Sequence, residues 1–328
     1  MAEDILVLGY FSLYQCVVCC PILFVLKQLT LTPEFSIIIP TYNRANRVRE
    51  SIESVLNQTC KNWELIVVDD GSTDNTKEIC QRFKDQRITY LYQENAERSA
   101  ARNRGIAKAV GKYIGFLDSD DVYAPSFLEE VQALTQNTHI PSLIFTGLST
   151  NHGGGVIPQP IPAAGHLAFA DFLLIHSMAT PRAVIHRECF QKGLFPKDFS
   201  IGEDRHLWVR LATYFPVLFC PKAIVIQNDY GDRSIASLPA VKENYLSLCA
   251  AIQSEEGKTL ARKSVSIAKG RALLVISRWH IVNENRGGGI VYAIRSLWVS
   301  PVDQVKFKVS LLLRLVLGCQ LKSIATLF

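Results

Sequence analysis

From Phe35 onward, apolar runs of strand length take turns with stretches of helical periodicity, and that alternation leaves few folds open. Residues 35–40 and 63–68 read as buried strands, and between them Val48, Ile52, Val55 and Leu56 recur at helical spacing. A helix is expected after Ser72-Thr73-Asp74, a strand over 88–92, a helix over 99–109, and further strands over 112–117 and 142–146. This order predicts an α/β domain: a mostly parallel sheet, wound right-handedly, with helices on both faces. Ligand sites in such sheets collect at the carboxyl ends of the strands. Two acidic clusters have that address, Asp69-Asp70 and Asp118-Ser119-Asp120-Asp121.

Asp118 and Asp120 stand one residue apart and can point to the same side of an extended segment, where they repel unless a cation or donors lie between them. Magnesium or manganese takes one or two protein carboxylates and completes its shell with water and substrate phosphates, which suits this pair. The other reading is a polar strand end, with Asp121 capping a helix over 125–134. For Asp69-Asp70-Gly71-Ser72, an Asx turn with Ser72 as helix cap competes with a ligand-binding role. Glu203-Asp204 precedes Leu207, Trp208 and Leu211, the apolar stripe of a short helix. Carboxylates there are stabilised by free N–H groups and the helix dipole whether or not they do chemistry.

With 48% hydrophobic and 20% charged residues, the 328-residue chain has the composition of a packed protein rather than a disordered one. Its net charge of +5 is unevenly spread: residues 257–328 hold twelve Lys and Arg against Glu284 and Asp303 alone. Because those cations alternate with Leu, Val and Phe over 305–317, the tail suits an anionic membrane surface and not nucleic acid. Residues 5–26 carry no charge and read either as a membrane-spanning helix, with the following domain in the cytoplasm, or as a docked apolar segment. Nine cysteines without metal-ligand spacing, and seven isolated histidines, predict no zinc site and a reducing, cytosolic setting. The Gly/Pro-rich stretch 153–165 reads as a mobile rim or a plain surface connection, and Gly287-Gly288-Gly289 as a turn between helices.

Five segments in order resemble the family 2 glycosyltransferases of the GT-A fold. Phe35-Ser-Ile-Ile-Ile-Pro-Thr-Tyr-Asn-Arg44 is similar to the family's opening strand and nucleotide loop, and Glu64-Leu-Ile-Val-Val-Asp-Asp-Gly-Ser-Thr-Asp74 to its second. Ser99-Ala-Ala-Arg-Asn-Arg-Gly105 looks like the helix beneath the diphosphate, and Phe116-Leu-Asp-Ser-Asp-Asp121 like the DxD metal motif. Gly202-Glu-Asp-Arg-His-Leu-Trp-Val-Arg210 is similar to the acceptor-side acidic motif. The resemblance covers residues 35 to about 237 and implies three regions: an apolar segment 1–34, a Rossmann-like GT-A domain 35–237, and a basic, mainly helical appendage 238–328.

It also implies roles. Pro40, Thr41, Tyr42 and Asn43 would form the nucleotide loop, with the Tyr42 ring offered to a base and Asp70, rather than Asp69, accepting from a base N–H. Arg102 would balance diphosphate charge, and Asn103 would tie loops together. Asp118, with Ser119 beside it, would hold the ribose or share the metal; Asp120 would coordinate Mg2+ or Mn2+ directly; Asp121 would be structural. Asp204 would remove the acceptor hydroxyl's proton, with Glu203 orienting it, giving displacement with inversion. The implied protein is a metal-dependent inverting enzyme that moves a sugar from a nucleotide-diphosphate sugar, a UDP-sugar above all. Its acceptor would be a glycan or lipid-linked molecule at the cytoplasmic membrane face, in envelope polysaccharide synthesis. A transferase acting on polyprenyl phosphate and a non-catalytic nucleotide-sugar-binding scaffold subunit are the rivals. One departure stands out: Gly193-Leu-Phe-Pro-Lys-Asp198 replaces the family's Gly-x-Phe-Asp-Glu, so the acceptor side is expected to differ in shape. Residues 229–237 stand where the family has a mobile loop over the diphosphate.

Overall fold

The computed structural model describes residues 32–150 except 137 and 139, 166–228 and 237–317. The apolar segment 5–26, the Gly/Pro stretch 153–165 and most of the expected mobile loop fall outside these residues.

Every strand expected from the sequence forms: β1 (Phe35–Thr41), β2 (Trp63–Asp70), β3 (Ile88–Gln93), β4 (Tyr113–Phe116) and β6 (Leu143–Thr150). Three more join them, β5 (Val122–Tyr123), β7 (Ala183–His186) and β8 (Val217–Gln227), giving the sheet order β3-β2-β1-β4-β7-β6-β8-β5. The first four strands are parallel neighbours. Beyond β4 the sheet is mixed: β7 runs antiparallel to both β4 and β6, β8 parallel to β6, and β5 antiparallel to β8. The sequence hid β5 and β7 because runs of two and four residues are too short to show a period. Strand β8 carries Pro221 where the β6–β8 register slips around Gly147, and a proline inside a run argues against a strand.

Alternation along β1 feeds two cores. Ile37 and Ile39 pack with Val48, Ile52 and Val55 of α1 (Val48–Leu56), Cys80 of α2 (Thr76–Gln81), and Phe127 and Val131 of α4 (Phe127–Thr135). Ile38 packs on the other face with Ala101 and Ile106 of α3 (Glu97–Lys108), Leu174 of α5 (His166–Ile175), and Leu207 and Trp208 of α6 (Glu203–Ala212). Helices thus cover both faces, as expected. Trp208, fully buried, meets Phe116, Phe145 and Phe195 near ring-contact distance, and its indole N–H donates to the Met178 carbonyl at 3.2 Å.

The C-terminal region is helical, with α7 (Leu238–Gln253), α8 (Arg262–Val282), α9 (Arg286–Val299) and α10 (Val305–Leu317). Leu248 of α7 and Ala268 of α8 join the core under the sheet, so these helices are docked on the domain. The three glycines read as a turn are instead the first turn of α9, capped by Asn285, whose Oδ1 accepts from the Gly288 N–H at 2.9 Å. For two of them the reason is proximity: a Cβ on Gly288 would lie 2.6 Å from Nδ1 of His280 in α8, and one on Gly289 would lie 2.8 Å from Ile281. Gly288→Ala is therefore expected to destabilise the helical region by about 1–3 kcal/mol through overpacking, read by urea unfolding. Nor is every cation of the basic tail on the surface. Lys308 is fully buried, and its ammonium donates to the Ser300 carbonyl at 2.7 Å and the Ser296 carbonyl at 3.3 Å, closing the last turn of α9.

Candidate active site

A cavity of about 570 Å³ opens at the carboxyl ends of β1, β2 and β4, where the parallel half of the sheet meets α3. Pro40, Thr41 and Tyr42 line it from the end of β1, Asp70 from the end of β2, and Asp118, Ser119 and Asp120 from beyond β4. Tyr42 is half exposed, a ring face without a fixed neighbour among the described aromatic pairs. Asn43 is the one nucleotide-loop residue that does not line the cavity. It takes a left-handed backbone (φ 50°); its N–H donates to Ser72 Oγ at 2.9 Å and its Oδ1 accepts from the Thr73 N–H at 2.8 Å. Ser72 therefore fastens the two loops together and does not cap α2, whose N-cap position is Asn75.

Strand alternation separates the Asp69-Asp70 pair. Asp69 Oδ2 accepts from the Tyr90 hydroxyl at 2.6 Å and Oδ1 from the Ser72 N–H at 2.8 Å, inside the protein. Asp70 faces the cavity, with Oδ1 fixed by Gln93 Nε2 at 2.6 Å and the Ala96 N–H at 3.0 Å. Asp121 is buried and, as a structural residue, ties the site to the far edge of the sheet: its Oδ1 accepts from the Asn228 N–H at 3.2 Å and its carbonyl from Ser51 Oγ at 2.8 Å. It does not cap α4, which starts after Ser126.

Arg102 binds the two acidic motifs to each other. It is 2% exposed, and its two terminal nitrogens reach Asp118 Oδ1 at 2.9 Å and Glu203 Oε1 at 2.7 Å. Burial pulls its pKa down, but Asp118 and Glu203 together outweigh burial and the net shift is upward. Both terminal nitrogens are thus engaged by carboxylates, a linking role, while Arg102 also lines the cavity where the diphosphate charge is expected. The Phe195 ring lies 5.3 Å from the guanidinium, and Asn103 pins Phe195 by a reciprocal pair of bonds, 2.8 and 3.0 Å, to its carbonyl and N–H. The departing Gly193 to Asp198 stretch is anchored at that point.

Glu203 and Asp204 open α6 after Gly202, which holds φ 84°. Neither Glu203 nor Asp204 is among the residues lining the cavity, and it is Glu203 that Arg102 joins to the cavity wall. Asp204 Oδ1 accepts from the Arg205 N–H at 2.6 Å. Burial first, then the Glu203 carboxylate, push its pKa from 3.8 to about 6, against the N–H and the nearby arginines. That is the range of a general base.

Asp120 faces Arg44 and Arg47 at 3.9 and 4.0 Å, long for ion pairs. Burial and the Asp118 charge raise its pKa, and the two arginines only partly offset this. A further cation would relieve the strain. Among the described residues no three His, Cys, Asp or Glu side chains cluster to form a closed metal site. The donor set fits an ion that takes one or two carboxylates and fills its shell from phosphates and water. Arg44, Arg47 and Asn228 were not singled out from the sequence. The Arg44-Ala-Asn-Arg47 spacing after β1 was a signal for the first two, whereas Asn228 acts on residues 107 and 108 positions away and left none.

Similarity to known proteins agrees with this geometry. The model of Glycosyl transferase family 2 matches residues 36–194. TuaG of Bacillus subtilis, a glycosyltransferase named for teichuronic acid biosynthesis, is 42% identical over 183 residues, 55% of this chain and 72% of that protein. WfgD of Escherichia coli, a UDP-Glc:alpha-D-GlcNAc-diphosphoundecaprenol beta-1,3-glucosyltransferase, is 33% identical over 177 residues, 54% of this chain and 68% of that protein. The chain spans only 31% of the length of an uncharacterized glycosyltransferase of Rickettsia felis to which it is 38% identical over 57% of its own length. S. aureus TarS 1–349 in complex with UDP-GlcNAc superposes with a TM-score of 0.63 at 19% identity, covering 82% of each chain. The fold is that of the GT-A glycosyltransferases. The chain belongs to glycosyl transferase family 2.

Proposed function

We propose that the chain transfers a sugar from a UDP-sugar, with inversion, to a glycan or lipid-linked acceptor in envelope polysaccharide synthesis, on a catalytic domain spanning residues 35–237. The observation that carries this reading is the Asp118–Arg102–Glu203 bridge. It holds a cavity suited to a nucleotide diphosphate against a carboxylate of raised pKa. The names of WfgD, which cites UDP-Glc and a diphosphoundecaprenol acceptor, and of the UDP-GlcNAc complex of TarS support the choice of donor and acceptor class.

Tyr42 and Asp70 receive the base, the ring by stacking and the carboxylate by accepting an N–H. Arg44 and Arg47 bring positive charge to the side where the diphosphate leaves. Asp204 takes the acceptor hydroxyl's proton as that oxygen attacks the anomeric carbon; the bond to the β-phosphate oxygen breaks, and UDP departs with the bonding pair. One base opposite the leaving group requires no covalent sugar intermediate, and the configuration inverts. Asp120 and Asp118 would hold Mg2+ or Mn2+, which when bound supplies charge neutralisation for the departing diphosphate.

EDTA is expected to bring UDP release from the donor to background, and Asp120→Ala to lower it at least about a hundredfold. Unchanged turnover in both cases removes the metal role. A donor panel read by UDP release tests the activity itself, and a wild-type protein that binds UDP yet turns over no donor contradicts it.

A further inference from the structure

A second cavity, of about 540 Å³, lies between α7, α8 and α9, away from the nucleotide site. Leu246, Leu273 and Tyr292 give it an apolar wall, while Lys242 and Arg295 stand at its mouth. No carboxylate is among the described residues that line it. Trp298, also at the mouth, is 86% exposed, and Leu246 is 57% exposed. The exposure is patterned. Val291, Ile294 and Trp298 follow one another at three and four residues along the outer face of α9, and Val305, Val309, Leu313 and Val316 do the same along α10. Lys242 and Leu246 share a face of α7 at i and i+4.

Apolar stripes this exposed need a cover, and the charge says which. Arg295 lies 5.4 Å above the Tyr292 ring, and Lys242 is exposed, so both cations and an indole face outward beside a greasy cleft. A second copy of this surface would meet like charge. A bilayer of anionic lipids offers phosphates to the cations and acyl chains to Trp298 and Leu246, an arrangement that interfacial tryptophans and lysines favour. Among the described residues no helix is long and apolar enough to cross a membrane, so contact made here is with the surface.

We propose that the α7–α9 cleft and the outer faces of α9 and α10 form a docking surface for an anionic bilayer, with Lys242 and Arg295 on lipid phosphates and Trp298 inserted below them. This rests on the reading that the acceptor is held at a membrane, and it places the contact on these helices, not on residues 5–26.

The test uses the full chain with vesicles of phosphatidylcholine, alone or mixed with phosphatidylglycerol, carrying a nitroxide-labelled lipid that quenches nearby tryptophan. Trp63 and Trp208 are buried, and the half-buried Trp279 is common to both proteins, so the difference between wild type and Trp298→Phe isolates Trp298. The expected result is strong quenching in mixed vesicles that Trp298→Phe loses. The lipid concentration for half-quenching should rise roughly thirtyfold in the double variant Lys242→Gln/Arg295→Gln, two cations being removed. Because the extent of quenching at saturating lipid reads the depth of one indole, the Trp298→Phe comparison holds even if residues 5–26 anchor the chain. Equal quenching of wild type and Trp298→Phe overturns the proposal. So does self-association that Trp298→Ala abolishes without any lipid quenching, which would put a second copy on this face. UDP binding, followed by calorimetry, should be unchanged in all variants; lost UDP binding with intact quenching counts against the transferase reading alone.

Discussion

Replacing Asp204 by Asn is expected to reduce sugar transfer by roughly a hundred- to ten-thousandfold while UDP still binds. The substitution keeps the shape and the contact with the Arg205 N–H but removes the acceptor for the hydroxyl proton. It should also stabilise the protein. In the folded state the carboxyl is pushed from 3.8 to about 6, so the folded protein holds this proton more tightly than the unfolded chain does. That contribution to stability is complete below pH 3.8 and lost as pH rises through 6. The Asn variant has no such loss, and above pH 7 it should be more stable than wild type by about 1–2 kcal/mol, a gap that closes at pH 4. Urea unfolding at the two pH values reads this directly. An acid limb near pH 6 is expected in wild-type kcat/KM, moving lower in Glu203→Gln, because the neighbouring charge that helps to raise Asp204 is gone.

Arg102→Met should be the most damaging single change, destabilising the fold by about 3–5 kcal/mol. The guanidinium is buried between two carboxylates, and its loss leaves Glu203, itself buried, without a counter-charge. Arg102→Lys rescues little, since an ammonium cannot span both partners as the planar fork does. The reading of Arg102 as a link makes one further demand. A double variant, Arg102→Met with Glu203→Gln, should recover a good part of the stability but not the transfer, whereas a residue contacting only the diphosphate would show no such recovery. Thermal or urea unfolding of the three variants checks it.

Much of this was visible in the linear chain. β1 and β2 announced themselves by runs of buried Ile and Val, and the carboxylates Asp70 at the end of β2 and Asp118 and Asp120 beyond β4 fell at the cavity because such sheets place strand ends together. Of Asp69 and Asp70, it is Asp70, expected as the base reader, that lines the cavity, since neighbours on a strand point apart. What remained illegible depends on distant partners. Arg102 was expected beneath the diphosphate, but its bond to Glu203, 101 positions away, has no signal in the linear chain. Asp121 has the spacing of a helix cap, yet its partner Asn228 comes from the end of β8, a strand interrupted by proline. Gly288 looks like a turn residue because its requirement, the approach of His280, is a matter of helix packing and not of local backbone.

The stereochemistry of transfer tests the central claim most directly, namely that one carboxylate on α6 works against a donor held at the strand ends. With an α-linked UDP-sugar and an acceptor found by the donor panel, the product's anomeric configuration can be followed by proton NMR from the first turnover. The account predicts a β-linked initial product in wild type, formed at least about a hundredfold more slowly in Asp204→Asn. An α-linked initial product, or undiminished β-product from Asp204→Asn, would contradict it.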